Sequence, residues 1–244
     1  MSPAPLDDMW TLVLCGGKGT RAYPHTLEVP KPLLDVAGQP ILRHVLDIFA
    51  RQGLRRFILA AGYKTVMIRE FAMTLPADWE VKVIDTGEDA NTGSRILRCR
   101  DLLTERFLAT YGDGVGNIDL RALLRFHEAS GGMATITTVP LPSQFGTVDT
   151  DAAGRVLEFK EKPRLFDHWI NGGFFVIEPA VFSTWAGDDL EKDVLPALAS
   201  SGELRAYKHF GFWKSMDTYK DAVDLTELAR SDRPPWLREH AGPN

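Results

Sequence analysis

An α/β fold, a mostly parallel sheet flanked by helices, is predicted for this chain by three observations. Short apolar runs rich in β-forming residues alternate with helix-period segments along most of its length. Several of those runs end in a glycine turn, and no repeat of fixed period or low-complexity tract interrupts them. Strands separated by helices of this length need right-handed crossovers, which set parallel strands side by side and cover both faces. The 244 residues, 44% hydrophobic and 25% charged, suffice for a full core.

The elements follow in chain order. Residues 1–9 are expected as a disordered lead-in, since MSPAPLDDMW lacks the basic region and apolar core of a secretory signal. TLVLC is a first strand, stopped by Gly16 and Gly17. Pro40 to Gln52 is a helix: Ile41, Val45, Ile48 and Phe49 share a face, Pro40 suits the first turn, and Gly53 follows the end. RRFILAAGY, VKVIDTG and FLATYGDG are the second, third and fourth strands, and Leu120 to Ala129 is another helix. MATITTVP begins a fifth strand, Gly146 to Phe159 reads as a hairpin turning near Asp151 to Gly154, and GGFFVIEP is one more strand. Residues 10–230 therefore form one domain, and 231–244, with three prolines and many charges, is expected as a surface tail.

Composition excludes several classes of function. A net charge of −5 leaves no basic field for a nucleic-acid backbone. No apolar run approaches the roughly 20 residues that cross a bilayer. Two cysteines, Cys15 and Cys99, make no disulfide framework and fit a reducing cytoplasm. The histidines at 25, 44, 127, 168 and 209 have no metal-ligand spacing.

Ligands of such sheets sit beyond the carboxyl ends of the strands. Gly16 and Gly17 follow the first strand, Gly62 the second, and Gly112 and Asp113 the fourth, so one sheet edge gathers them all. Gly16, Gly17 and Gly19 let the backbone come close to a ligand and expose N–H groups as an anion cradle. Arg21 offers a planar bidentate grip on phosphate, and Lys31 adds a compact charge whose direction Pro30 and Pro32 restrict. The spacing is neither the Walker pattern nor GxGxxG, which disfavours a nicotinamide dehydrogenase. Asp113 has glycines on both sides that leave room for a metal, although Asp-Gly is equally a turn dipeptide.

LCGGKGTR followed by VPKPLLDVAGQPIL resembles the opening of the sugar-1-phosphate nucleotidylyltransferases. The resemblance continues in order through AAGYK, DTG...TG.R, TYGDG, FGTVD, FKEKP, INGGFFV and FWKSMDT, from about Leu12 to Tyr219. TYGDG, INGGFFV and FW..MDT look most like the glucose-1-phosphate cytidylyltransferase branch. The resemblance implies a Rossmann-like nucleotidyltransferase fold with a small β-rich sugar-binding insertion, assembled as a homo-oligomer. It implies Mg2+-dependent transfer of a nucleotidyl group from a nucleoside triphosphate, CTP favoured, to a sugar 1-phosphate, glucose 1-phosphate favoured, with loss of pyrophosphate. Because the attacking phosphate is already an anion, such chemistry needs charge neutralisation and alignment rather than a general base.

Carried over residue by residue, the resemblance implies that Arg21, Lys31, Asp113 and Asp217 are catalytic, with both aspartates on the metal. Leu14, Gly16, Gly17, Gly19, Thr20, Arg21, Lys31, Gly62, Tyr63, Thr92, Gly93, Gly112 and Asp113 would bind the nucleotide. Arg95, Gly146, Glu161, Lys162, Asn171 and Gly172 would bind the sugar phosphate. From the residues alone, Asp217 could instead cap a helix, Arg95 could form a surface ion pair, and Lys160 to Lys162 could be a solvated charge run. Ser94 replaces the second glycine of TGGR, the segment between Gly62 and Asp85 is short, and Ala22 stands where leucine is common. These departures leave the reaction intact but open a second reading, another triphosphate with an unusual heptose, octose or cyclitol phosphate. A third reading is a non-catalytic nucleotide-sugar sensor or assembly subunit, against which the retained Arg21, Lys31, Asp113, Lys162 and Asp217 speak.

Overall fold

The computed structural model describes residues 6–230 and 233–239. Its strands of three residues or more are β1 (Trp10–Leu14), β2 (Arg56–Ala61), β3 (Glu80–Asp85), β4 (Phe107–Tyr111) and β5 (Gly114–Gly116). They continue as β6 (Ala134–Pro142), β7 (Thr147–Thr150), β8 (Val156–Lys160), β9 (Arg164–Ile177), β10 (Leu204–Lys208) and β11 (Trp213–Ser215). The helices are α1 (Ile41–Ala50), α2 (Thr65–Ala72), α3 (Thr92–Arg98), α4 (Leu120–Ser130), α5 (Leu195–Ser200) and α6 (Tyr219–Ala229).

Seven strands form the central sheet in the order β10-β6-β9-β4-β1-β2-β3. β9 runs antiparallel to β4 and β6, and the remaining pairs are parallel. The sheet is covered on both sides, which is why its central strands read as continuous apolar runs. Period-two alternation assigns the faces: Val13, Phe57, Leu59, Phe174 and Val176 enter one core cluster, while Leu12, Ile58, Ala60, Phe175 and Ile177 enter the other. The first cluster takes the apolar faces of α1, α2, α4 and α6; the second takes Ile96 of α3 and Leu198 of α5. The helix on the first face with the clearest sequence pattern, α1, buries Ile41, Val45, Ile48 and Phe49 as their spacing predicts.

Some elements lie outside the expected set. α2 opens on β-branched residues after Lys64, whose φ is 51°, and α3 holds Gly93 and Ser94 in its first turn, so neither carries a strong helix pattern. β9 is longer than expected because its first half stays paired with the far end of β6, Arg164 opposite Pro142 and Asn171 opposite Thr138, across register breaks at Leu165/Trp169 and Asn171/Phe175. The hairpin β7–β8 is a separate antiparallel pair. That hairpin turns as predicted, with Gly154 N–H donating to the Asp151 carbonyl at 3.0 Å.

Both chain-end expectations need correction where the structure describes them. Leu6–Asp8 form a 3-10 turn, and Leu6 and Met9 are buried in the first core cluster. Near the other end, Trp236 in the turn Pro235–Leu237 is only 1% exposed, edge-on to His44 and tilted against Phe212. A single large aromatic anchors a polar segment through buried area that averaged composition conceals. Residues 1–5, 231–232 and 240–244 lie outside the described residues.

Candidate active site

The site starts where β1 stops. Beyond Leu14 the chain turns through Gly16, Gly17 and Gly19, and Thr20–Ala22 make a 3-10 turn that presents Arg21 to solvent. Gly19 adopts φ 62°, and a Cβ there would lie 2.7 Å from the Cβ of Lys31, so only glycine lets the loop rest on that lysine. Lys31 follows extended Pro30 and opens a 3-10 turn with Pro32, which carries it inward. Its Nζ lies 2.5 Å from Asp113 Oδ2 and 3.2 Å from Asp217 Oδ1. Arg21 Nη2 lies 2.8 Å from the same Asp217 oxygen.

A short ladder explains how Asp217 reaches Asp113. β5 pairs antiparallel with β11, Ser215 facing Gly114, and Met216 N–H donates to the Asp113 carbonyl at 2.8 Å. Thr218, not Asp217, is the N-cap of α6: its hydroxyl accepts from Asp221 N–H while Asp221 accepts from the Thr218 N–H, a capping box. Asp217 is thus held one residue outside the helix with its carboxylate directed to Lys31 and Arg21.

A cleft of about 410 Å3 opens beside this cluster. Leu14, Gly16, Gly17, Gly19, Thr20, Arg21, Lys31, Thr92, Gly112 and Asp113 line it, all of them expected. Cys15, Tyr111, Asp189 and Glu191 line it as well, without having been expected. Burial pushes the Cys15 thiol up to about 12, so it stays protonated at neutral pH and offers no nucleophile.

Gly62, Tyr63 and Gly93 do not line the cleft. They support it from behind: Tyr63 donates from its N–H to the Gly16 carbonyl at 2.9 Å and from its hydroxyl to the Thr26 carbonyl at 3.0 Å. A Cβ on Gly93 would meet the Asp188 carbonyl at 2.8 Å, so its role is close packing of α3 on residue 188.

Arg95 requires a correction. It touches the cleft wall but is only 3% exposed, and it forms neither a surface ion pair nor an open phosphate grip. Its Nη1 donates to the carbonyls of Ala61 and Gly87 and the hydroxyl of Thr86, and its Nη2 donates to the carbonyls of Gly16 and Glu88. One guanidinium thereby ties together the loops that follow β1, β2 and β3. Desolvation by burial is the leading cause of its lowered pKa.

The sugar-side residues divide into two groups. Asn171 sits at a register break in β9, donates from Nδ2 to Tyr111 Oη at 3.0 Å, and accepts from Gly173 N–H at 2.7 Å. Gly173 has φ 77° and no room for a Cβ against the Tyr111 ring, while the Gly172 carbonyl accepts from Trp213 Nε1 at 2.7 Å. Gly146, Glu161 and Lys162 belong to the hairpin end, with both charged side chains exposed and outside the cleft lining. Lys162 adopts φ 47°, a left-handed conformation rare for a residue with a side chain.

A family described as "Nucleotidyl transferase" matches residues 10–229 of this sequence. The chain belongs to this family. The nucleotidyltransferase is 37% identical to a glucose-1-phosphate cytidylyltransferase of Salmonella typhi, over 93% of this chain and 98% of that protein. It is 32% identical to a mannose-1-phosphate guanylyltransferase catalytic subunit beta of Xenopus tropicalis, over 96% of this chain and 69% of that one. Among solved structures, HddC from Yersinia pseudotuberculosis superposes with a TM-score of 0.72 at 23% identity, covering 90% of this chain and 98% of that one, which supports the fold.

In this nucleotidyltransferase Asp113 and Asp217 are suited to hold a divalent cation. Both carboxylates already converge on one ammonium, and hard oxygen donors of this kind are what Mg2+ takes. Among the described residues no third acidic, histidine or cysteine side chain joins them, so a cation held there would need its further ligands from water or phosphate oxygens. Tyr111 was visible within TYGDG but overshadowed by its aspartate. Asp189 and Glu191 carry no motif, since their segment reads as a charged helical turn; only the contact of residues 188–191 with α3 brings them to the cleft.

Proposed function

We propose that this nucleotidyltransferase joins CTP to glucose 1-phosphate, releasing pyrophosphate, with Mg2+ held by Asp113 and Asp217. The observation that carries this reading is the cluster of Lys31, Arg21, Asp113 and Asp217 at the lip of a glycine-lined cleft. In the reaction an oxygen of the sugar phosphate bonds to the α-phosphorus as the bond from that phosphorus to the bridging oxygen breaks, and pyrophosphate leaves. No proton has to be removed from the nucleophile, so the chain's task is to align two anions and offset their repulsion.

Each residue then has a defined part. The free N–H groups of the loop around Gly17 and Gly19 bind phosphate oxygens, and Lys31, fixed between two carboxylates, presents its ammonium at the α-phosphate. Arg21, exposed and held at Asp217, stabilises charge on the departing phosphates. Asp113 and Asp217 would hold Mg2+, which would supply polarisation of the phosphoryl oxygens and neutralisation of developing charge. Lys162 takes the sugar phosphate, while Glu161 and Asn171 take ring hydroxyls.

The substrates are drawn from the Salmonella typhi relative at 37% identity. The Xenopus tropicalis relative is named for another base and sugar, so GTP and mannose 1-phosphate belong in the test. A pyrophosphate-release screen of the common triphosphates against a panel of sugar 1-phosphates decides. CTP with glucose 1-phosphate should give the highest kcat/KM; a clear preference for another pair overturns the substrates, and no release with any pair overturns catalysis.

We also infer a cytoplasmic homo-oligomer. No described helix is long and apolar enough to cross a membrane. Support for assembly comes from the hairpin, where Val148, Val156, Leu157 and Phe159 are all exposed. Light scattering should give a mass above that of one chain, and a single-chain mass would overturn this part.

A further inference from the structure

The cleft wall beside Thr92 carries a hydrogen-bonded chain that phosphate transfer leaves unused. Glu191 is its hub, with one hydroxyl on each carboxylate oxygen: Tyr111 donates to Oε1, and Thr92 donates to Oε2 at 2.6 Å. The Thr92 oxygen in turn accepts from the Leu190 N–H at 3.0 Å, and the Tyr111 oxygen accepts from Asn171 Nδ2 at 3.0 Å. Gly173 N–H, donating to Asn171 Oδ1, fixes which way that amide faces.

The protons in this chain can run in only one direction. A phenol has one proton, and Tyr111 gives it to Glu191, so it must accept from Asn171. Two capacities are left over: the second N–H of Asn171 and the remaining lone pairs of Glu191. One donor and one acceptor, each a single hydrogen bond from the same phenol oxygen, suit a ring that carries hydroxyls and reject one that lacks them. The phosphates have no use for Glu191, whose charge would repel them.

We propose that Glu191, with Tyr111 as its bridge to Asn171, is a specificity-determining carboxylate that reads a ring hydroxyl of the sugar 1-phosphate. This rests on the reading of the cleft as a sugar 1-phosphate site. The ribose of the triphosphate is the competing source of such a hydroxyl, and the sugar is assigned because Asn171 forms the far end of the chain.

The test measures kcat and both KM values for wild type, Glu191→Gln and Tyr111→Phe, using the preferred sugar 1-phosphate, its monodeoxy analogues, and the 2′-deoxy triphosphate. Wild type should reject one monodeoxy sugar by about 10-fold or more, as sites built around a hydroxyl do. Glu191→Gln should raise the sugar KM about 10-fold, keep the triphosphate KM within about 2-fold, and erase that rejection. Tyr111→Phe should act in the same direction, and the double variant should be no worse than Glu191→Gln. An equal fall for every sugar, a change confined to the triphosphate KM, or lost rejection of the 2′-deoxy triphosphate alone would overturn the inference. Melting curves identify an unfolded Glu191→Gln, in which case Tyr111→Phe, which keeps the Thr92 bond, carries the same comparison. A wild type inactive with every pair overturns the substrate reading itself, and this inference with it.

Discussion

Lys31 at the sheet edge and Lys162 on the hairpin are both assigned to a phosphate, yet their surroundings differ sharply. The Lys31 side chain is 9% exposed and sits between two carboxylates, the closer at 2.5 Å. The Lys162 side chain is 58% exposed, with Glu161 at 4.0 Å. The first lies where parallel strands end and Arg95 locks three loops together; the second rides on a two-stranded ladder of a kind marginally stable alone. The end proposed for the triphosphate is therefore fixed by the fold itself, which is the arrangement that would stabilise developing charge without reorganisation. The proposed sugar-phosphate end rests on far fewer contacts, and any ordering that substrate imposes on it would reduce the affinity it can deliver.

The sharpest way to break this contrast is Asp113→Asn. It should abolish metal-dependent pyrophosphate release while the melting temperature stays close to that of wild type; unimpaired release across a Mg2+ titration would remove Asp113 from the metal. Arg21→Ala should lower kcat on the order of 10³-fold, by analogy with arginines that stabilise phosphoryl-transfer transition states. A loss seen only in triphosphate KM would make Arg21 a ground-state binder.

Arg95→Met tests the lock rather than the chemistry. It removes the donors of a buried group that serves five acceptors, and chemical denaturation should register a loss of about 3 kcal/mol. A stable variant with unchanged triphosphate KM would mean that the loops hold their shape without it. Lys162→Ala should raise the sugar 1-phosphate KM by about 10-fold with little effect on stability, the expected scale for one charged hydrogen bond. At the small end, Phe159→Ser should change chain stability by no more than about 0.5 kcal/mol, as exposed positions do. A larger loss, or a drop in oligomer mass, would show that the hairpin is covered in the assembly.

Legibility followed the same division. The strands with continuous apolar runs, the helix at 41–50 and the turn at Asp151 to Gly154 could be read because local propensity and tertiary burial agree there. α2 and α3 were missed because packing, not propensity, keeps them helical. The burial of Arg95 was hidden for a related reason: an arginine after a glycine-rich turn looks the same in sequence whether its donors meet phosphate or carbonyls. Trp236 was lost inside a proline-rich, charged stretch.

What the sequence by itself determined is the class of fold and the glycine turn beyond the first strand, because hydrophobic period and glycine turns are local properties that survive in any α/β sheet. What only the tertiary structure decided is which groups meet. The β5–β11 ladder sets Asp217 beside Asp113, and the packing of residues 188–191 on α3 delivers Glu191 to Thr92 and Tyr111. Hydrogen bonds and ion pairs depend on distances of a few ångströms between residues remote in the chain, and no local pattern encodes such distances.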